Sequence, residues 1–259
     1  MDQLPDHLRQ PLTDLLLSVA DDKFMLGHRN ADWTGLAPIL EEDIAFSSLA
    51  QDEIAHASAL YQMIAGLSGS CADALAFGRR PEEYRCAQIV ELSDDFDWAL
   101  AIGRNFFCDH CDFLRLHRLA QSAYTPLAQL AARLAAEEQI HVEHVDSWLN
   151  RLGHGGEEAR GRVQGALHTL SESAAMLFEP TPGLEKLEQE GIYPGSTAGM
   201  FEQWAGELTR VARASGLELS LRPPPAEAVG GRHGQHGPSF GPLLDELTEV
   251  YRIEPEAAW

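Results

Sequence analysis

Two Glu-x-x-His sequences lie where the buried side of a helix would normally carry apolar residues. Around "QDEIAH", steps of three and four residues trace an apolar stripe that includes Glu53 and His56: Phe46, Leu49, Glu53, His56, Leu60, Met63 and Leu67. The stripe around "AEEQIH" is Leu127, Leu130, Leu134, Glu138, His141, Val145, Trp148 and Leu152. Residues at i and i+3 share one face of a helix. Each sequence can therefore direct a carboxylate and an imidazole into the interior of the protein.

Two other predicted helices each place one carboxylate on an apolar stripe. In the first helix the stripe is Leu12, Leu15, Val19, Asp22 and Leu26, and in the third it is Ala99, Ile102, Phe106, Asp109, Phe113 and Leu116. Buried carboxylates repel one another and are costly without a positive partner. A pair of metal ions, held by a carboxylate from each of two helices and a Glu-x-x-His from each of the other two, is the known arrangement in four-helix bundles.

This pattern predicts a metal centre whose ligands are Asp22, Glu53, His56, Asp109, Glu138 and His141. Carboxylate oxygens combined with imidazole favour iron or manganese over a zinc site of the thiolate type. The alternative is a metal-free cluster, because buried acids, histidines and a lysine can neutralise one another through salt bridges. Lys23, which is adjacent to Asp22, keeps that alternative open.

Three smaller features could also carry chemistry but have ordinary explanations. "CDHC" has the Cys-x-x-Cys spacing of a zinc site, yet the other two cysteines are isolated, so the pattern does not favour a structural zinc. "RHGQHG" could bind an anion through its backbone and Arg232, or it could form a surface turn. His110 and His144 flank the predicted ligands and are expected to support them or to face solvent.

The elements that must position these residues are helices, because a 3.6-residue apolar rhythm dominates the chain and strand-like alternation is nearly absent. Four long helices are predicted at about 10–30, 38–67, 94–122 and 126–152. The long Gly- and Pro-containing connection between the second and third suits a ferritin-like bundle with one crossover. Three further helices are predicted: one that follows "LGHGGEE" and ends near Phe178, one at about 197–214, and a last one that ends near Arg252. We therefore expect one all-α domain over residues 1–259, with a core bundle at about 10–152 and a helical extension at about 156–259.

Composition narrows the class of protein further. The 259 residues are 44% hydrophobic and carry a formal net charge of −21, which is unfavourable for binding nucleic acid or an anionic membrane surface. Four cysteines are too few for a disulfide framework, no signal-like leader precedes the first helix, and no apolar run approaches the roughly 20 residues that span a bilayer. These features predict a soluble cytoplasmic protein with protein partners and with neither nucleic acid nor membrane among them.

The chain resembles the ferritin-like subunits of the phenylacetyl-CoA ring-epoxidase complex, a bacterial multicomponent oxygenase. The resemblance is to the C-type subunit over nearly the whole chain, and it includes "LGHRNADW", "WLNRLG", "GGRHGQHGPSFGPLLDEL" and the terminal Trp259. In that family the A-type subunit holds the di-iron centre and inserts oxygen, whereas the C-type subunit is regarded as a structural partner that has lost much of the metal site. The resemblance implies an A–C heterodimer that acts with reductase components in aerobic phenylacetate breakdown.

The sequence departs from the C-type pattern because both Glu-x-x-His sequences and Asp109 match the catalytic subunit. Aligned through Trp33, the catalytic subunit's first glutamate falls on Lys23, whereas the apolar stripe favours Asp22 as the inward residue. Three interpretations stay open: a scaffold subunit, a di-iron or manganese–iron oxygenase in its own right, and a metal-storage or ferroxidase bundle. An inward lysine favours the scaffold, and an inward aspartate favours the oxygenase. A homo-oligomer is a further option for the isolated chain.

Overall fold

Helices account for all the regular secondary structure of the residues that the structure describes. The structure is a computed structural model and describes residues 3–93, 95–225 and 227–255. In chain order the helices are α1 Asp6–Ala31, α2 Leu40–Ser68, α3 Ala72–Phe77, α4 Gln88–Glu91, α5 Trp98–Leu119, α6 Thr125–Gly153, α7 Glu157–Ala175, α8 Leu184–Gln189, α9 Thr197–Ala214 and α10 Phe240–Ile253. Single 3-10 turns lie at Pro81–Glu83, Met176–Phe178 and Gly231–His233. Trp259 lies outside the described residues.

Several helices begin or end at residues that satisfy the free backbone groups of a helix terminus. The Asp97 side chain accepts a hydrogen bond from the Ala99 amide (2.8 Å) at the start of α5. Ser196 does the same for the Gly199 amide (3.2 Å) at the start of α9. Such caps stabilise a helix by about 1 kcal/mol. Helix α2 ends at Gly69, whose φ of +75° is the left-handed conformation that glycine adopts without strain.

The four long helices α1, α2, α5 and α6 form a ferritin-like bundle. Helix α1 packs along α2 and α5 packs along α6, while residues 69–93 and 95–97 belong to the long crossover that carries α3 and α4. Helices α7 and α9 then pack against α5 and α6 and form part of the C-terminal extension. The predicted all-α, ferritin-like class is confirmed. Short helices inside the crossover, and α8, were not predicted because four to six residues carry too little periodicity to detect.

The first helix is enclosed on almost every side. All residues from Leu15 to Gly27 are buried. The crossover and the segment around Arg232 cover the side of α1 that faces away from the bundle, where Arg232 Nη1 donates to the Ser18 carbonyl at 2.9 Å. An apolar stripe therefore cannot distinguish inward from outward positions on this helix, although it does so on α2 and α6.

Helices α1 and α2 approach each other closely next to Glu53. A Cβ atom added at Gly27 would lie 2.9 Å from Ile54 Cγ1 and 3.0 Å from Glu53 Cβ, so only glycine fits there without movement. One apolar core runs from Leu8 in α1 to Leu244 in α10. Among the described residues, no helix combines the length and the hydrophobicity that crossing a membrane requires.

Candidate functional site

A buried lysine lies at the centre of the bundle, surrounded by carboxylates from the other three helices. Lys23 Nζ is 2.8 Å from Glu53 Oε2 of α2, 2.8 Å from Glu138 Oε2 of α6 and 3.1 Å from Asp112 Oδ2 of α5. The side chain of Lys23 is completely buried. An ammonium group has three donors, and here each faces one carboxylate, so the lysine can be fully satisfied without water.

The two histidines of the Glu-x-x-His sequences lie in matching positions on either side of this centre. Each imidazole directs one nitrogen towards the acid that precedes the glutamate of the opposite helix: His56 Nε2 lies 2.6 Å from Glu137 Oε2, and His141 Nε2 lies 3.4 Å from Asp52 Oδ2. His141 Nδ1 faces Glu53 Oε1 at 3.2 Å. The two rings are stacked with their centroids 6.0 Å apart. The histidines thus connect α2 to α6 across the bundle.

The charges of this cluster are strongly coupled. Burial alone would raise the pKa of Glu53, but the Lys23 ammonium and His141 outweigh it and lower the pKa to about 2. Burial alone would lower the pKa of His141, but its interactions with the Glu138 and Glu53 carboxylates raise it to about 11. The pKa of Lys23 is raised well above its ordinary value, since three carboxylates outweigh its burial. At neutral pH two cations, Lys23 and His141, therefore face the ionised Glu53 and Glu138.

The two aspartates of α5 behave differently from the glutamates. Burial, assisted by the charge of Glu138, raises the pKa of Asp109 well above its ordinary value. Burial also raises the pKa of Asp112 to about 6, although Lys23 and Arg115 oppose the shift. Burial thus favours the protonated form of Asp109, whereas a pKa of about 6 leaves Asp112 mostly ionised at neutral pH. The positive charge of the cluster therefore lowers the pKa of Glu53 and Glu138 but does not offset the effect of burial on Asp109 and Asp112.

Asp22 does not join the other predicted ligands. Its carboxylate faces away from the centre and accepts hydrogen bonds from Arg232 Nη1 (2.8 Å), Arg232 Nη2 (2.6 Å) and the Ala87 amide (2.7 Å). Arg115 Nη1 lies 3.4 Å from the same carboxylate. The structure thus places Lys23, not Asp22, on the inner face of α1. Apolar spacing could not reveal this, because α1 is buried all round.

A continuous network of charges connects the centre of the bundle to the C-terminal segment. Asp112 contacts Lys23 at 3.1 Å and Arg115 at 3.5 Å, and Arg115 in turn contacts Asp22, which is paired with Arg232. Asp112 and Arg115 were not predicted, since an acid and an arginine near a predicted ligand give no distinctive spacing. Arg232 was predicted as a possible anion ligand, and the anion that it binds is a side chain of the same protein.

The flanking histidines and the "CDHC" cysteines lie outside the cluster. His110 Nε2 is 2.9 Å from Asp146 Oδ1, and His144 Nε2 is 2.8 Å from Glu42 Oε2. Cys108 and Cys111 are both buried and reduced on α5. Each histidine therefore contacts a nearby acid, and neither of those acids is one of the predicted ligands.

The geometry can be compared with what metal ions would require. Ligand atoms of Glu53, Asp109, Glu138 and His141 lie within 4.8 Å of one another, so these four residues could hold a cation. A pair of ions does not fit, because the Lys23 ammonium lies 2.8 Å from an oxygen of both glutamates and α1 offers no carboxylate in its place. Two dications and a buried ammonium in one small cluster would repel one another strongly.

The fold and the cluster define a ferritin-like helical protein with a buried lysine at the middle of a carboxylate–histidine centre. A family model described as "Phenylacetic acid catabolic protein" matches residues 1–259, and the chain belongs to that family. It is also similar to the C subunit of the 1,2-phenylacetyl-CoA epoxidase of Escherichia coli (strain K12), with 28% identity over 249 residues, which cover 96% of this chain and 99% of the relative.

Proposed function

We propose that this chain is the structural subunit of a cytoplasmic phenylacetyl-CoA epoxidase, in which it pairs with a catalytic di-iron A-type subunit and the complex acts with reductase components. The similarity to the C subunit of the Escherichia coli epoxidase over almost the full length of both chains supports this role. The proposal assigns the oxygen chemistry to the partner and the maintenance of a rigid docking scaffold to this chain.

The observation that carries the proposal is the position of Lys23. Its ammonium contacts carboxylates from α2, α5 and α6, so a residue of α1 connects all four helices of the bundle. A bundle that is neutralised by its own lysine needs no metal to keep its acids buried. Such a centre suits a subunit whose task is to hold its shape while another subunit performs the reaction.

Co-expression with the A-type subunit of the same bacterium tests the proposal. We expect a stable A–C complex in size-exclusion chromatography, with iron bound to the A-type subunit and little iron in this chain purified alone. The A-type subunit and reductase should epoxidise phenylacetyl-CoA efficiently only when this chain is present. A chain that does not associate with the A-type subunit, or an A-type subunit equally active alone, would contradict the proposal.

A second candidate is an oxygenase in its own right, with a single iron or manganese ion. It is favoured by the convergence of Glu53, Asp109, Glu138 and His141, and by Glu138 Oε1, a buried oxygen without a hydrogen-bond partner among the described residues. Iron bound there would supply the activation of dioxygen. Metal analysis of protein expressed with added iron and manganese tests this candidate: about one ion per chain, lost in Glu138→Gln, supports it, and metal-free protein excludes it.

A further inference from the structure

A cysteine, a glutamate and a histidine from three separate segments converge at a second place, beside the crossover. Cys86 precedes α4, Glu91 ends α4, and His236 lies between the Gly231–His233 turn and α10. Cys86 Sγ is 3.8 Å from His236 Nδ1 and 4.0 Å from Glu91 Oε1, and the latter two atoms are 2.7 Å apart. We propose that these three residues form a binding site for a divalent cation of the zinc class.

The separations are compatible with one ion that contacts all three residues. Zinc–sulfur bonds are about 2.3 Å, and bonds to imidazole nitrogen or carboxylate oxygen are about 2.0–2.2 Å. Two ligand atoms of one ion can therefore be at most roughly 4.5 Å apart where one is sulfur and roughly 4.3 Å apart where neither is, and all three observed separations are shorter. A tetrahedral ion would require His236 Nδ1 and Glu91 Oε1 to move apart by about half an ångström, which rotation of the Glu91 carboxylate can provide.

Neighbouring groups fix the orientation of two of the three ligand side chains. His236 Nε2 lies 3.3 Å from the Tyr84 carbonyl, and the imidazole stacks on Phe240 with the centroids 3.8 Å apart. Glu91 Oε2 accepts a hydrogen bond from the Gly237 amide at 2.7 Å. Metal-binding histidines commonly donate their second ring N–H to a backbone carbonyl in this way. The remaining atoms, Nδ1 and Oε1, lie 3.8 Å and 4.0 Å from the sulfur.

The hydrogen bond between His236 Nε2 and the Tyr84 carbonyl creates a need for positive charge beside Nδ1 of the same ring. If Nε2 of His236 donates its proton to the Tyr84 carbonyl, the lone pair of Nδ1 faces a Glu91 oxygen at 2.7 Å. Two acceptors at that distance require a proton or a cation between them. A zinc-class ion can be coordinated by both of these atoms and also by the buried Cys86 sulfur.

The arrangement is unlike that of a catalytic Cys–His–acid triad. In a triad, the nucleophile and the acid contact opposite nitrogens of the imidazole. Here Cys86 and Glu91 both approach Nδ1 of His236, while Nε2 is used by the backbone. Cys86 is also completely buried, so it is not accessible to a substrate. Convergence on one point indicates coordination and not nucleophilic catalysis.

An ion at this site would connect the crossover to the C-terminal segment. The two already lie in close contact, since a Cβ atom at Gly231 would be 1.7 Å from the Cys86 carbonyl oxygen and Arg232 Nη1 donates to the Arg85 carbonyl at 2.7 Å. Metal binding is therefore expected to stabilise the segment that positions Arg232 beside Asp22. The site lies outside the cluster around Lys23 and does not depend on the proposed function.

Cobalt titration of the full chain, first freed of metal with a chelator, tests the proposal. We expect one equivalent of Co²⁺ to produce a sulfur-to-cobalt charge-transfer band in the near ultraviolet, and Zn²⁺ to displace it. Cys86→Ser should abolish the band, and His236→Gln should weaken Co²⁺ binding by at least about ten-fold. Cys108→Ser, which removes another buried cysteine, is the matched control and should leave the band unchanged.

The absence of a band in the unmodified chain, or a band that survives in Cys86→Ser, would overturn the site. If Cys86→Ser does not fold, X-ray absorption of the zinc-loaded unmodified chain decides. One sulfur ligand at about 2.3 Å supports the proposal, and a shell of nitrogen and oxygen alone contradicts it. The acids and histidines around Lys23 contain no sulfur ligand, so this readout also separates the new site from metal bound in the bundle.

Discussion

Replacing Lys23 with methionine removes the positive charge at the centre of the bundle while keeping most of the side-chain volume. Glu53, Glu138 and Asp112 would then be buried without their common partner. For Glu53 alone, the shift of the pKa from 4.5 to about 2 corresponds to about 3 kcal/mol at 1.36 kcal/mol per unit. Removing one partner of a buried ion pair typically costs about 3–5 kcal/mol. We expect Lys23→Met to lower the free energy of unfolding at pH 7 by that amount.

The stability lost in Lys23→Met is expected to depend on pH. In the unmodified protein the folded-state pKa of Glu53 is depressed, so its contribution is fully present above the ordinary value of 4.5 and is lost as the pH falls towards 2. In Lys23→Met, burial without the ammonium raises the pKa of Glu53 and Glu138. Their carboxylates then bind protons in the folded state, and the variant loses stability as the pH rises above about 4.5. The difference between the two proteins should therefore widen from pH 5 to pH 7.5.

Urea denaturation followed by circular dichroism measures this difference. The matched control is Lys186→Met, which replaces the only other lysine of the chain at an exposed position on α8. The control should change the free energy of unfolding by less than about 0.5 kcal/mol at either pH. A loss below about 1 kcal/mol in Lys23→Met, or a loss that is the same at pH 5 and pH 7.5, would refute the reasoning.

Three further predictions concern the same network. Lys23→Glu places a carboxylate on the inner face of α1 and is expected to gain bound iron or manganese, measured by elemental analysis; metal-free protein would contradict this. Stability should fall as the pH rises from 6.5 towards about 11, because the folded-state pKa of His141 is raised, and His141→Gln should flatten this part of the pH–stability curve. Arg232→Met removes the two short hydrogen bonds to Asp22 and leaves it with the Ala87 amide and the longer 3.4 Å contact to Arg115, so it should cost about 3 kcal/mol in the free energy of unfolding. Arg222→Met, at an exposed position, should change it by less than about 0.5 kcal/mol; equal effects of the two would contradict the pairing.

The positions of Glu53 and His56, and of Glu138 and His141, could be predicted from the sequence because α2 and α6 each have one buried face. On such helices, spacing alone identifies the side that enters the core. All four of these residues are buried in the structure. The boundaries of the long helices followed from the same rhythm together with local caps and breakers.

The first helix could not be treated in this way. The crossover and the segment around Arg232 come from distant parts of the chain, and they bury the side of α1 that a four-helix bundle alone would leave exposed. Apolar spacing then cannot tell which residue faces the centre of the bundle, because Asp22 and Lys23 are both buried and differ only in the partners that surround them. The pairing of Asp22 with Arg232 joins residues 210 positions apart, which no local pattern reports.

The sequence by itself thus determined an all-α ferritin-like bundle with an acid–histidine pair on the inner face of two helices. Only the tertiary structure decided how those acids are neutralised. The reason is physical: helix periodicity is a local property of consecutive residues, whereas the counter-charge of a buried carboxylate depends on which distant side chain reaches it. In this protein that side chain is Lys23, and Asp22 is held away from the centre by Arg232.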